Sequence, residues 1–227
     1  MDPQHPAEIA GTYGRFAAEE ARGRSPLYEE LARGVAGDHE VVGFLLTLPK
    51  EKRQPNLLFA ALRYVSGTPA DWPDFRRKLA ANRDSIRSAM LARSTQTNEP
   101  ARCATLLPVL ARLPQPLALI EVGASAGLCL LPDHYAYDYG GRRVAPSVPV
   151  ESPPVFHCAA NAQTPIPARN VDVAWRAGLD LSPLDPQNPE DAAWLRALVW
   201  PGEGERANRC AHRSITLFPH LTGVFSQ

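Results

Sequence analysis

The sequence predicts an α/β protein, a helical N-terminal half followed by a partial Rossmann-like sheet, and three observations predict it. Apolar residues recur at helical spacing from Ile9 to about Leu113. A short apolar run, Leu117 to Val122, then ends abruptly at Gly123. Beyond it the apolar period shortens and prolines accumulate, nine of the 23 lying between Pro146 and Pro189.

Each helix has a local reason. Ile9, Tyr13, Phe16 and Ala17 form one apolar stripe. Ser25-Pro26 offers an N-cap and a first-turn proline to a second helix carrying Tyr28, Leu31 and Val35, with Gly37 as its stop. Asp38 can cap a third with Val41, Val42, Leu45 and Leu46, closed before Pro49. Pro55 opens a fourth with Leu58, Leu62 and Val65 on one side. Asp71 caps the longest, in which Phe75, Leu79, Ile86 and Met90 face inward. A sixth runs from a cap at Asn98 to about Leu113, kinked at Pro108.

After Pro116 the run Leu117 to Val122 reads as a strand buried on both faces. Tyr135, Tyr137 and Tyr139 alternate, and Gly140-Gly141 can close a hairpin. Val171 to Leu181 reads as a strand and Asn188 to Val199 as a helix. The predicted regions are 1–113, helical; 114–208, partial Rossmann-like; and 209–227, a divergent tail.

Composition narrows the partners. The 227 residues are 44% hydrophobic and 21% charged, enough to bury a core. Lys plus Arg (24) equals Asp plus Glu (24), so no basic footprint for nucleic acid or an anionic membrane exists. A small-molecule ligand is the expected partner; composition leaves the oligomeric state open. Cys103, Cys129, Cys158 and Cys210 contain no C-x-x-C pair, so neither a metal site nor a disulfide framework is expected. The first residues lack the pattern of a signal peptide and no apolar run would span a bilayer, which predicts a cytoplasmic location.

The most informative stretch is Glu121-Val122-Gly123-Ala124-Ser125-Ala126-Gly127. Gly123 lets the chain bend, small side chains let a ligand approach the backbone, and Gly127 permits close packing as a helix begins. Free N–H groups at that helix start would favour a negatively charged group. The acidic residue before the first glycine resembles the S-adenosylmethionine loop of class I methyltransferases. That resemblance implies Glu121 near the cofactor's methionine end and Gly123 and Gly127 beside its ribose, with Ala124 and Ser125 as further cofactor-binding candidates. Asp138, on the tyrosine strand, is the candidate for the ribose hydroxyls. Gln96, Asn98, Glu99 and Arg102 are candidates for substrate contacts, their simpler role being helix capping and a Glu99–Arg102 pair.

Two other readings compete. Gly123-Ala124-Ser125-Ala126-Gly127 also satisfies G-x-S-x-G, which would make Ser125 a hydrolase nucleophile served by Asp172 or Asp180 and by His212 or His220. Alternatively the loop is kept for its turn geometry in a non-catalytic ligand-binding or interaction module.

Phrases in fixed order carry a further resemblance. They are Gln54 to Ala61, Gln96 to Cys103, the glycine loop, Tyr137 to Gly140, Arg176 to Asp180 and Trp194 to Pro201. Together they resemble a bacterial family known as domain of unknown function 2332, over roughly residues 8–201. The resemblance implies a methyltransferase-like surround to the loop and no established activity. Cys129 stands where the family pattern leads one to expect Asn, and the chain leaves that pattern near Arg209, as a truncated or divergent copy would.

Overall fold

A computed structural model describes residues 4–96, 99–202 and 224–226. The chain divides into two compact units, one comprising residues 1–96 and 196–208, the other 97–195 and 209–227.

The first unit is helical: α1 (Gln4–Arg15), continued by a π-turn over Phe16–Ala21, then α2 (Pro26–Gly37), α3 (His39–Leu46), α4 (Pro55–Ser66), α5 (Trp72–Ala81) and α6 (Arg83–Ala92). The caps act as their chemistry requires. Ser25 Oγ accepts the Tyr28 N–H at 3.3 Å, and Asp38 Oδ1 accepts those of Glu40 and Val41 at 2.9 and 3.0 Å. Asp71 Oδ1 accepts the Asp74 N–H at 2.8 Å. Each satisfies a donor that the helix itself leaves unpaired.

Phe59 anchors the core, with the Tyr13 and Phe75 rings edge-on at 6.1 and 5.9 Å and Tyr28 tilted at 4.8 Å. Trp200, from the returning segment, lies 5.2 Å from Phe16 and 5.4 Å from Tyr28. Arg63 donates to the Ala197 carbonyl at 2.8 Å and to that of Val199, caring for acceptors at a helix end. One expectation is corrected. The single long helix from Asp71 is two, α5 and α6, broken at Asn82 (φ −125°). The Asn82 amide bonds the Lys78 carbonyl at 3.0 Å, a local alternative to helix that asparagine offers.

The second unit opens with α7 (Arg102–Leu110) and holds two small sheets. In the parallel one, β1 (Leu117–Val122) pairs with β5 (Val173–Asp180), and β5 with β6 (Val224–Ser226). The other sheet has β2 (Ala136–Asp138) between antiparallel β3 (Arg143–Val144) and parallel β4 (Val155–His157). The β2–β3 turn is the expected hairpin: Gly140 and Gly141 take φ of 74° and 97°, and the Tyr139 N–H reaches the Arg142 carbonyl at 3.0 Å. Helix α8 (Pro189–Leu198) is capped by Asn188 Oδ1, which accepts the Glu190 N–H at 2.9 Å.

The three alternating tyrosines are buried, and each hydroxyl finds a carbonyl: Tyr135 to Leu128, Tyr137 to Pro132, Tyr139 to Ala104. The last bond has a covalent cause. Pro108 lacks the N–H that would have reached Ala104 in α7, and Tyr139 takes its place at 2.5 Å. Beneath them Arg176 grips Asp133, which is 1% exposed, through two bonds of 3.0 and 2.8 Å.

The expectation that β1 is buried on both faces is corrected. Leu117 and Leu119 pack with Cys103, Leu107 and the tyrosines, whereas Ile120 and Val122 are 67% and 82% exposed. On β5, Leu179, the partner of Val122, and Trp175, the partner of Ala118, are exposed as well. The run is apolar at nearly every position, but α7 and the tyrosine sheet pack on only one side of it. Among the described residues no helix is long and apolar enough to cross a membrane.

Candidate functional site

The site begins where β1 ends. Gly123 and Gly127 adopt φ of 77° and 72°, a region that costs any other residue about 1–2 kcal/mol. Ser125, with φ 53°, is the one non-glycine residue at positive φ among those described. The expected bend out of the strand is therefore present. The expected α-helix after it is not: the chain makes 3₁₀ turns at Leu128–Leu130 and Pro132–His134, because Pro132 cuts the segment short.

The loop amides differ from the expectation too. The Gly123 and Ala124 N–H groups donate to the Leu179 carbonyl at 2.8 and 3.2 Å, and the Gly127 N–H to Ala124 at 2.6 Å. Ser125 donates its N–H to Asp180 Oδ2 at 2.7 Å, while Asp180 Oδ1 accepts the Ser182 N–H at 2.8 Å. Donors expected to meet a ligand anion are thus engaged by the neighbouring parallel strand. Ala124, Ser125 and Ala126 are buried, and Ala126 and Leu128 pack on Ala192 and Leu195 of α8. Their small size serves close packing of the loop.

Glu121 is the group left over. It is half-buried, and its Oε2 is enclosed with no hydrogen-bond partner. Burial pushes its pKa up; the Cys129 thiol and the Arg102 guanidinium pull it back, and Asp180 adds to the rise. The Cys129 thiol also lies 3.4 Å from the Glu99 carbonyl, so its single hydrogen has two acceptors to choose between. Cys103, buried beside it, bonds the Cys129 carbonyl at 3.4 Å, and its own pKa is raised, first by that neighbour and then by burial. Above Gly123, a Cβ built on the backbone would meet nothing within 4 Å. The end of β1 therefore presents a carboxylate with one oxygen left without a hydrogen-bond partner.

Of the proposed substrate contacts, Arg102 acts on Glu121 and Glu99 reaches Cys129. The Glu99 carboxylate accepts the Ala101 N–H at 3.0 Å, a capping contact, rather than pairing with Arg102. Gln96 closes the first unit, and Asn98 lies outside the described residues. Asp138 is on the other sheet. Its carboxylate accepts the Gly141 N–H at 2.8 Å and lies 3.5 Å from Arg143 Nε and 3.6 Å from His157 Nδ1. The Gly141 bond foremost, then the neighbouring His157 and Arg143 side chains, holds it below the ordinary range.

Asp180 stands at the carboxyl end of β5, the strand next to β1. Its place beside the loop rests on β1 pairing with β5 rather than with the next strand in the chain. The hydrolase arrangement gains little. Ser125 is 2% exposed, the Asp180 carboxylate is committed to two amides, and His212 and His220 lie outside the described residues.

A family profile described as an uncharacterized protein conserved in bacteria (DUF2332) matches residues 10–214. The chain belongs to that family. The match takes in every α-helix from α2 to α8 and the strands β1 to β5, and extends past Arg209. No curated protein and no solved structure matches this DUF2332 chain.

Proposed function

We propose that this DUF2332 protein binds a small molecule bearing a cationic amino-acid-like end at the carboxyl edge of β1 and β5, with S-adenosylmethionine as the candidate cofactor. The unpaired Glu121 Oε2 carries the reading, since a buried acceptor without a donor costs about 1–3 kcal/mol and a ligand ammonium would repay it. The β1–loop–β5 arrangement would serve as half of a Rossmann-type site. In it Glu121 receives the ammonium, the bare Gly123 position admits the ligand beside the backbone, and Asp180 fixes the loop while keeping lone pairs for a ribose hydroxyl. When bound, S-adenosylmethionine supplies an electrophilic methyl group. The chain's own part is orientation and exclusion of water. No side chain around the loop stands as a general base, so binding is proposed and a catalytic residue is not.

Isothermal titration of the full chain with S-adenosylmethionine tests this. Saturable binding is expected, weakened at least about tenfold by Glu121→Gln through loss of a charge-assisted bond, and abolished by Gly123→Ala, whose methyl enters the open space. Gly123→Ala should still fold, at a cost of about 1–2 kcal/mol for its positive φ. Absence of binding by a folded wild-type chain, or binding indifferent to Glu121→Gln, would overturn the proposal.

A further inference from the structure

A second concavity lies at the opposite end of β1 and β5 from the glycine loop. It is a cavity of about 270 Å³ bounded by the end of α7 and by the chain entering β5. Pro108, Pro165 and Pro167 give it apolar walls. Arg112 and Arg169 line it from the two sides, and no carboxylate is among its lining residues.

The polar floor is internally satisfied. Gln115 donates to the Leu110 and Leu113 carbonyls and accepts the Asp172 N–H. Asn170 donates to Pro132 and Tyr135 at 3.0 Å each and accepts the Val171 N–H. The two guanidinium groups are different: among the described residues neither has a hydrogen-bond or ion-pair partner. Asp172, three residues beyond Arg169, pairs with neither. Two exposed guanidiniums without a protein partner at one small cavity, in a chain with no net charge, are the complement of an oxyanion. Ligand sites typically run to about 300–1,000 Å³, so the occupant is compact.

We infer that this cavity is a binding site for a small organic acid, a carboxylate or phosphate on a compact apolar body, held by Arg112 and Arg169 against the proline walls. The site is separate from the one proposed at Glu121, and either can fail alone. Because neither arginine supports the fold, Arg112→Gln/Arg169→Gln should melt with the wild type, which makes it a clean probe.

Titration of the full chain with benzoate, benzyl phosphate, benzamide and inorganic phosphate reads the inference. Benzoate or benzyl phosphate should saturate at millimolar concentration, and the double variant should weaken that binding at least about tenfold. Benzamide, isosteric but uncharged, should not bind, and inorganic phosphate should bind more weakly than either aromatic anion. Whichever aromatic anion binds more tightly identifies the acid. Equal binding of benzamide, equal binding by the double variant, inorganic phosphate matching the aromatic anions, or no saturation by either of them would overturn it.

Discussion

Replacing Arg176 with Met isolates the buried, two-bond ion pair of Arg176 with Asp133. The carboxylate of Asp133 is 1% exposed and the Arg176 side chain 20%. Their two bonds measure 3.0 and 2.8 Å, and the same guanidinium donates to the Leu130 carbonyl at 3.0 Å. Removing one member of a buried pair typically costs about 3–5 kcal/mol, because the survivor is left desolvated. Partial exposure of Arg176 lets water reach the vacated space, so the low end applies, about 3 kcal/mol. For a chain of this length that corresponds to a fall in Tm of about 6–12 °C. Methionine keeps the apolar stem, so the loss is electrostatic rather than a cavity. Urea unfolding at neutral pH of Arg176→Met, Asp133→Asn and the double variant completes a cycle. The double variant should be no worse than the worse single one, since the two losses share one interaction. Additive losses, or a Tm within about 2 °C of wild type for Arg176→Met, would refute the assignment of this pair as the clamp between β5 and the 3₁₀ turns.

Three further outcomes follow from particular atoms. A Cβ at Gly34 would lie 2.3 Å from the Trp72 ring, itself stacked on Phe75 at 5.3 Å, so Gly34→Ala should destabilise by about 1–3 kcal/mol despite alanine's better helix propensity; a gain in Tm would refute the close approach. The Tyr13 hydroxyl is buried without a partner, so Tyr13→Phe should leave stability unchanged or raise it by about 1 kcal/mol in denaturant titration, and a clear loss would reveal a bound water. Burial raises the Glu121 pKa above the ordinary carboxylate range, so its protonated form is favoured in the fold. The associated stability is full below the unfolded value and lost as pH rises through the folded one. Glu121→Gln should therefore melt above wild type near neutral pH, with the gap narrowing as pH falls; a gap that widens on acidification would reverse the assigned sign.

What was legible in the sequence was local. Ser25, Asp38 and Asp71 could be read as caps because a cap answers to donors two or three residues away. The Gly140-Gly141 hairpin was readable for the same reason. Asn82 escaped because the apolar stripe from Phe75 through Met90 continues in phase across it, so periodicity gives no sign of the break. The exposed side of β1 escaped because Leu117 to Val122 is apolar on both faces, and only the elements packed nearby decide which face is covered. At the candidate site, Glu121 and the two glycines were identifiable from the chain. Asp180 entered only as an alternative to Asp172 in the hydrolase reading; its bond to the Ser125 amide was not readable, since the tyrosine sheet lies between the two in sequence.

The charge pattern around the loop decides which ligands suit it. A phosphate-binding turn works by aiming unpaired amides, reinforced by a helix start, at an anion. Here the amides of Gly123, Ala124 and Ser125 are spent on Leu179 and Asp180, and three-residue 3₁₀ turns replace the helix. Two carboxylates, Glu121 and Asp180, stand at the same edge close enough to raise one another's energy, with Arg102 as a partial counterweight. A pyrophosphate brought to this edge would meet negative charge with few free donors, whereas an ammonium or sulfonium would relieve repulsion already present. The loop's composition suggests a general nucleotide cradle, but its hydrogen bonds would favour the cationic end of the ligand proposed above. Dinucleotides and triphosphates should accordingly bind more weakly than S-adenosylmethionine, and Asp180→Asn, which keeps one acceptor but removes the charge, should narrow that difference in competitive titration.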